Sequence, residues 1–341
     1  MRKISILVLI TSLFVSAIAV ANEVNVFNAR HYKADAELYS KFTNMTGIKV
    51  NLINGKSGAL EKRIIEEGAD SSADLYITAD AGRCGAMDAK GHLQGGLTST
   101  AIKAAVPKSF RTSKWVGIAK RARIIYYSPE RVTGAELSGM SYEGLADPKW
   151  KGRLVIRKSS NIYNKSLVAS LIANNGKKAT AEWAKGVVAN MARDSKGNDR
   201  AQIMAVAAGE ADIAVANTYY LALMLSGKKG AEQQAAAKKV LPFFPNQGDR
   251  GTHMNISGGG ILKTAPNPDN AKKLLEFLLT KEAQEHIVNN TFEYPMIAGV
   301  EPHDLVKQMG LAFKEDLKTK VVSYGEKQAD ALEIMLAANW K

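Results

Sequence analysis

Strand and helix signals alternate along almost the whole chain, and this alternation limits the architecture more than any other feature. Val24, Val26 and Phe27 mark a short strand. Leu38, Phe42 and Met45 then recur at i, i+4 and i+7, the spacing of one helix face, and Gly47 supplies a left-handed stop. Ile48, Val50 and Leu52 alternate as a second strand. Strand, helix and strand at this spacing form a βαβ unit, whose strands lie parallel. Ser57-Gly58 caps and opens a helix with Leu60 and Ile64 on one face, and Asp74 to Ile77 reads as a buried strand. A helix runs from about Ala81 to Ala89, and the chain is extended between Trp115 and Tyr127. A strand at Leu154–Ile156 precedes a helix from Ile162 to Ala173. Another helix spans Asp199 to Ala208, followed by a strand at Ile213–Ala216 and a helix from Tyr219 to Leu225. Phe243–Pro245 and Gly258–Leu262 are extended. Pro268 heads a helix in which Ala271, Leu274, Leu275 and Leu278 share a face. The C-terminal segment reads as helical and polar enough to be peripheral. The class is α/β, without a Walker or Rossmann fingerprint.

At roughly 150 residues per domain, a chain of 341 residues suggests two domains. No solenoid repeat and no low-complexity linker separates them, so they pack directly or exchange chain through ordered strands. Arg2 and Lys3, the uncharged stretch Ile4–Asn22 and the small residues Ala19-Val20-Ala21 have the layout of a secretory signal cut after Ala21. The alternative is a membrane anchor, because the apolar run nearly reaches spanning length. There is no twin arginine, and Cys84 lies too far inside to carry a lipid. The expected mature protein is exported, soluble and basic. The formal net charge of +13 points to nucleic acid, an acidic surface or an anionic ligand without choosing among them, and export makes nucleic acid a scarce partner. A single cysteine excludes an internal disulfide and any multi-cysteine metal site.

Three tyrosine positions share one structural address. Tyr32, beside His31, follows the first strand. Tyr163 follows the strand at Leu154–Ile156 and opens a helix. Tyr219 and Tyr220 follow Ile213–Ala216 and open another, with Asn217 or Thr218 as its N-cap. Ligands in open parallel sheets bind beyond the carboxyl ends of strands, and helix N-termini favour negative charge. Neutral phenols, with pKa near ~10, are poor ligands. A trivalent hard cation draws out phenolate, a donor suited to Fe(III) rather than Zn(II) or Cu(I). His31 would add an imidazole nitrogen. Four phenolates on Fe(III) leave one negative charge, for which Arg121 or Arg123 supplies a counter-charge. Spacing alone leaves two alternatives open, a shared metal site or separate packed and rim tyrosines. The adjacent pair Tyr126-Tyr127, inside a strand, illustrates the second. Gly258-Gly259-Gly260 lacks the Lys-Ser/Thr of a phosphate loop and is read as close backbone packing.

With those residues in view, the mature chain resembles the periplasmic ferric-iron-binding proteins, the solute-binding subunits of iron(III) ABC importers in cyanobacteria and other Gram-negative bacteria. The resemblance rests on Asn28-Ala29-Arg30-His31-Tyr32, on Ala73 through Asp80, on Trp115-Val116-Gly117 to Arg121-Ala122-Arg123, and on Gly209-Glu210-Ala211-Asp212 leading into Asn217-Thr218-Tyr219-Tyr220. It implies a two-lobed, type II-like periplasmic-binding-protein fold, each lobe a mixed, mainly parallel sheet flanked by helices. The implied lobes are 22–120 with about 246–290, and about 121–245 with 291–341. It implies iron in the interlobe cleft, held by Tyr32, Tyr163, Tyr219 and Tyr220 with Arg121 and Arg123 behind them; His31 matches a first-loop ligand that coordinates in some relatives and turns away in others, and both alternatives stay open. Tyr163, in the loop Lys158–Tyr163, matches the extra tyrosine of the anion-independent branch. The glutamate ligand of the other branch has no equivalent between Gly55 and Leu60, so an all-protein site is expected. The implied partners are iron(III) and an inner-membrane ABC permease, with the carrier a monomer that binds no nucleic acid. Two other functions compete: an anion or polyamine carrier on the same fold, and a secreted hydrolase. The hydrolase would need a nucleophile oriented by a base, and neither a G-x-S-x-G elbow nor H-E-x-x-H is present. The expectation is a binding protein, not an enzyme.

Overall fold

The first βαβ unit sets the direction of the sheet. β1 (Glu23–Ala29) and β2 (Lys49–Asn54) lie parallel, in register from Glu23 opposite Lys49 to Asn28 opposite Asn54. The helix Asp35–Thr46 between them buries Leu38, Tyr39 and Phe42 and stops at Gly47, whose φ of 70° is left-handed. Met45, expected on the buried face, sits in the final turn and stays exposed; Tyr39 is the third buried ring or aliphatic group. The helix Ser57–Glu67 buries Leu60 and Ile64, and β3 (Leu75–Thr78) then pairs parallel with β1. Ser57 does not cap this helix. Its hydroxyl lies 3.4 Å from Thr78 Oγ1 at the end of β3.

The computed structural model describes residues 22–30 and 32–341; the signal segment 1–21 and His31 lie outside the described residues. Among the described residues no helix is long and apolar enough to cross a membrane.

The remaining strands are β4 (Trp115–Tyr127), β5 (Leu154–Val155), β6 (Ile213–Asn217), β7 (Leu241–Phe243), β8 (Met254–Ile261) and β9 (Tyr294–Pro295). Their order is β2-β1-β3-β8-β4-β6-β5, with β7 and β9 also on β4. The two extended pieces read between Trp115 and Tyr127 are thus one strand of 13 residues. Trp115 to Ala122 pairs with β8, and Arg123 to Tyr127 pairs with β6. Between Ala122 and Arg123 the strand leaves one sheet system and enters another, which gives the two-lobed α/β architecture its crossover. β9 pairs with β4 at Ala119 and Lys120, just before that handover.

β8 explains the glycine run. Gly258, Gly259 and Gly260 lie between β3 and β4. A Cβ on Gly259 would stand 2.8 Å from Leu275 Cδ2, and one on Gly260 would stand 2.8 Å from Leu93 Cδ1 and 3.0 Å from the Lys114 carbonyl. Helix and strand side chains press directly on this backbone, as the close-packing reading requires. The helix expected at Ile162–Ala173 continues to Asn190, broken at Gly176 (φ 80°), because Trp183, Ala184 and Val187 resume the buried face after a polar interruption.

The C-terminal segment is not peripheral. The short helix Val322–Glu326 lies against the helix Gly82–Ala89 so closely that a Cβ on Gly325 would fall 2.1 Å from the Gly82 carbonyl and 2.6 Å from the Ala86 nitrogen. Tyr324, Ala331, Met335 and Trp340 are buried. The Trp340 indole donates to the Arg157 carbonyl at 2.8 Å, and its ring meets Trp183 at 6.0 Å. A few large side chains bury a tail whose average polarity suggested a surface position. Because Gly325 meets backbone that cannot move aside, Gly325→Ala should lower stability by about 1–3 kcal/mol or prevent the tail from docking. Gly58→Ala, in a helix with open space around it, should raise stability by about 0.5–1 kcal/mol; urea unfolding of both variants checks the contrast.

Candidate functional site

Each tyrosine stands near the start of the helix that follows a strand, Tyr163 after a longer loop than the others. Tyr32 follows β1, and its carbonyl accepts from the Asp35 amide at 3.1 Å, turning the chain into its helix. Tyr163 is the second residue of the helix Ile162–Asn190. Asn161 caps that helix, its side chain accepting from the Tyr163 and Asn164 amides at 3.1 and 3.4 Å. Tyr219 and Tyr220 stand in the first turn of the helix Thr218–Leu225, which follows β6 without a loop. Asn217 holds the N-cap position, but neither it nor Thr218 caps with its side chain. The Asn217 Oδ1 instead accepts from Arg123 Nη1 at 3.3 Å.

The structure brings the four tyrosines into one cluster. The Tyr32 and Tyr219 rings meet edge to face at 6.3 Å between centroids, and Tyr219 and Tyr220 lie 4.0 Å apart. The Arg30 guanidinium covers the Tyr32 ring at 4.6 Å and that of Arg121 covers Tyr163 at 5.4 Å. Tyr163 and Tyr219 are buried, and Tyr32 and Tyr220 half-buried. The Tyr219 hydroxyl is buried and, among the described residues, makes no hydrogen bond of ordinary geometry; the adjoining Tyr220 phenol is its interacting neighbour, and such weak satisfaction is unusual for a buried polar group. By contrast, Tyr126 from the adjacent pair points its hydroxyl at the Asn217 and Thr218 carbonyls, at 3.4 and 3.3 Å, and supports the turn beneath the site.

Burial dominates the protonation of these phenols. It pushes Tyr32, Tyr219 and Tyr220 above the ordinary phenol value. For Tyr219 the neighbouring phenols push the same way, while Arg121 pulls down. For Tyr220, Tyr163 and Asp199 add to the burial effect. Without a cation these side chains are therefore neutral at physiological pH, and phenolate forms only when a strong Lewis acid stabilises it.

Arg121 and Arg123 differ in where they reach. Arg121 Nη1 meets Glu293 Oε1 at 2.9 Å and donates to Ser257 Oγ at 2.7 Å, and its Nη2 meets the Ala79 carbonyl. It acts on Tyr32, Tyr163 and Tyr219. Arg123 lies beneath the cluster, with Nη1 at 3.3 Å from Asp199 Oδ1 and Nη2 donating to Asn164 Oδ1.

Glu293 escaped the sequence reading. It is fully buried, pairs with Arg30 at 2.7 Å and Arg121 at 2.9 Å, and accepts from the Tyr32 hydroxyl at 3.3 Å. Burial opposes its ionisation, but the two arginines outweigh burial and hold the carboxyl below its usual range. Arg30 also pairs with buried Asp35 at 2.7 Å. Arg30 stands just after β1, in the segment Asn28–Tyr32 on which the family resemblance rests; nothing local marks Glu293, which arrives from far along the chain.

A cavity of about 890 Å³ opens on one side of Tyr32 and Tyr163, with Asn28, Arg30, Asn54, Lys56 and Ser57 in its wall. A second, of about 460 Å³, meets Tyr32 from the other side beside Tyr219, Tyr220, Arg200 and Lys229. No acidic residue lies between Gly55 and Leu60. Among the described residues no group of three or more His, Cys, Asp or Glu side chains is arranged to hold a metal; the donors gathered here are phenol oxygens.

Comparison with known proteins places these features in context. The pattern of the bacterial extracellular solute-binding protein family matches residues 70–321. Iron uptake protein A1 of Synechocystis sp. is 48% identical over 321 residues, covering 94% of this chain and 88% of that protein. Among solved structures, Trichodesmium IdiA (FutA) in complex with iron and citrate superposes with a TM-score of 0.88 at 48% identity, covering 94% of this chain and all of that one. Apo FutA2 from Synechocystis superposes with a TM-score of 0.86 at 40% identity, over 94% of this chain and all of its own.

The buried charges permit a direct test. Glu293→Ala leaves Arg30 and Arg121 without their shared carboxylate, and truncating one member of a buried ion pair costs about 3–5 kcal/mol. Chemical denaturation should show a loss of that size, with Glu293→Gln less damaging because it keeps the shape and an acceptor oxygen.

Proposed function

The chain belongs to the family of bacterial extracellular solute-binding proteins, and from that premise we propose that it is a periplasmic carrier which captures Fe(III) and delivers it to an ABC permease of the inner membrane. The ligands in this proposal are Tyr32, Tyr163, Tyr219 and Tyr220; His31, which lies outside the described residues, is the one candidate nitrogen donor beside them. The observation that carries the reading is the meeting of four tyrosines, brought in by three separate strand-to-helix passages, around the buried Tyr219 phenol. The similar Synechocystis protein is named for iron uptake, and the similar Trichodesmium structure holds iron and citrate.

The chemistry follows from the donors. Phenolate is a hard anionic ligand matched to Fe(III). Four of them leave the loaded site with one negative charge, and Arg121 and Arg157 stand close enough to favour the phenolate forms of Tyr32, Tyr219 and Tyr220. In the proposed domain division, residues 22–120 with about 246–290 form one lobe, and about 121–245 with 291–341 the other. Closure turns on the crossover at β4, with β9 at the seam, as a hinge motion between lobes. The carrier is exported with a signal ending near Ala21, works as a monomer, binds no nucleic acid and catalyses no reaction.

Adding ferric citrate to the mature chain should produce a visible tyrosinate-to-iron charge-transfer band, and Tyr219→Phe with Tyr220→Phe should abolish it. A carrier of anions or polyamines would bind its ligand without metal and give no band. Since burial keeps the free Tyr32, Tyr219 and Tyr220 phenols protonated, each bond that one of them forms to iron as phenolate releases a proton. Iron occupancy at fixed ferric citrate should therefore rise with pH and fade as pH drops, followed by the intensity of the same band; a flat profile between pH 5 and 8 would count against phenolate ligation.

A further inference from the structure

We propose that Asp199 is a positioning residue for iron capture, holding the three tyrosines of the second lobe as one unit through Arg123 and Arg157. The inference rests on the iron reading above. The Asp199 carboxylate is fully buried in the first turn of the helix Asp199–Ala207. One oxygen meets Arg123 Nη1 at 3.3 Å and the other meets Arg157 Nη1 at 3.1 Å. Arg123 in turn donates to Asn164 Oδ1, next to Tyr163, and to Asn217 Oδ1 at 3.3 Å, two residues before Tyr219. Asn164 Nδ2 closes the ring by donating to the Arg157 carbonyl at 2.6 Å. One carboxylate thus joins Arg123, whose guanidinium grips the starts of both tyrosine-bearing helices, to Arg157, whose carbonyl holds Asn164.

The charges agree with this role. Arg30 and Arg121 are matched by Asp35 and Glu293. Arg123 and Arg157 with Asp199 carry one net positive charge, equal and opposite to four phenolates on Fe(III). Without the Asp199 charge, two neighbouring guanidinium groups lose the carboxylate they share, and the surroundings of Tyr163 and Tyr220 become more positive than the loaded cluster requires. A more positive environment holds phenolate electrons more tightly, so transfer of charge to iron costs more energy.

The test uses the whole mature chain loaded with ferric citrate. Absence of the band in the unmodified protein would defeat the iron reading itself and is thereby separate from failure of this inference. Given that band, Asp199→Asn should move it to shorter wavelength and speed removal of iron by an excess of competing chelator by about tenfold. Adding Tyr163→Phe to Asp199→Asn should then cost less than it does alone, because the two act on one unit. An unchanged band and unchanged release, with only a lower melting temperature, would make Asp199 merely structural and overturn the proposal. If Asp199→Asn does not fold, Arg157→Gln cuts the half-buried arm alone. It should move the band to longer wavelength and also speed release, and an unmoved band in that variant overturns the proposal equally.

Discussion

Arg121 and Arg123 lie two residues apart on β4, both without solvent exposure, on either side of the point where the strand changes its pairing from β8 to β6. A buried guanidinium must be met by carboxylates and hydrogen-bond acceptors or it unfolds its surroundings. That requirement recruits Glu293 and Ser257 to Arg121, and Asp199, Asn164 and Asn217 to Arg123; the two carboxylates in turn hold Arg30, which also pairs with Asp35, and Arg157. The tyrosines are held by those partners. Tyr32 leans on Glu293, and Tyr163 and Tyr219 sit beside asparagines that Arg123 grips. The strand that changes its pairing from β8 to β6 is therefore also the strand whose two arginines anchor the surroundings of the tyrosines.

The fold supports this placement through geometry that tolerates few side chains. β8 runs between β3 and β4 with three glycines in sequence, where helix and strand neighbours come within contact of the backbone. The C-terminal tail grips one lobe through the Gly325 approach to the helix Gly82–Ala89, and the other through Trp340 at the Arg157 carbonyl. That carbonyl belongs to the arginine joined to Asp199. Packing at the end of the chain and electrostatics under the tyrosines are thus mechanically linked.

Several expectations met limits with identifiable causes. Helix faces were legible where apolar residues recur, as at Ala271, Leu274, Leu275 and Leu278, all buried in the structure. Periodicity does not say where a helix projects past its sheet, so Met45 was misplaced. The polar tail was misjudged because a few large aromatic residues, not average polarity, decide its burial. Ser57 and Asn217 are good capping residues by type, yet Thr78 and Arg123 engage them instead, since a tertiary hydrogen bond competes directly with a local one.

The order of residues by itself determined the α/β class, the strand-to-helix address of each tyrosine and the presence of arginines within an extended segment. Those properties depend on contacts a few residues apart, which local spacing encodes. Only the tertiary structure decided that Tyr32, Tyr163, Tyr219 and Tyr220 meet, that Glu293 reaches Tyr32 across 261 positions, and that Asp199 couples Arg123 to Arg157. Burial of charge sets these long-range pairings: a carboxylate is drawn to a buried guanidinium wherever the folded chain brings it near, and sequence distance leaves no trace of that encounter.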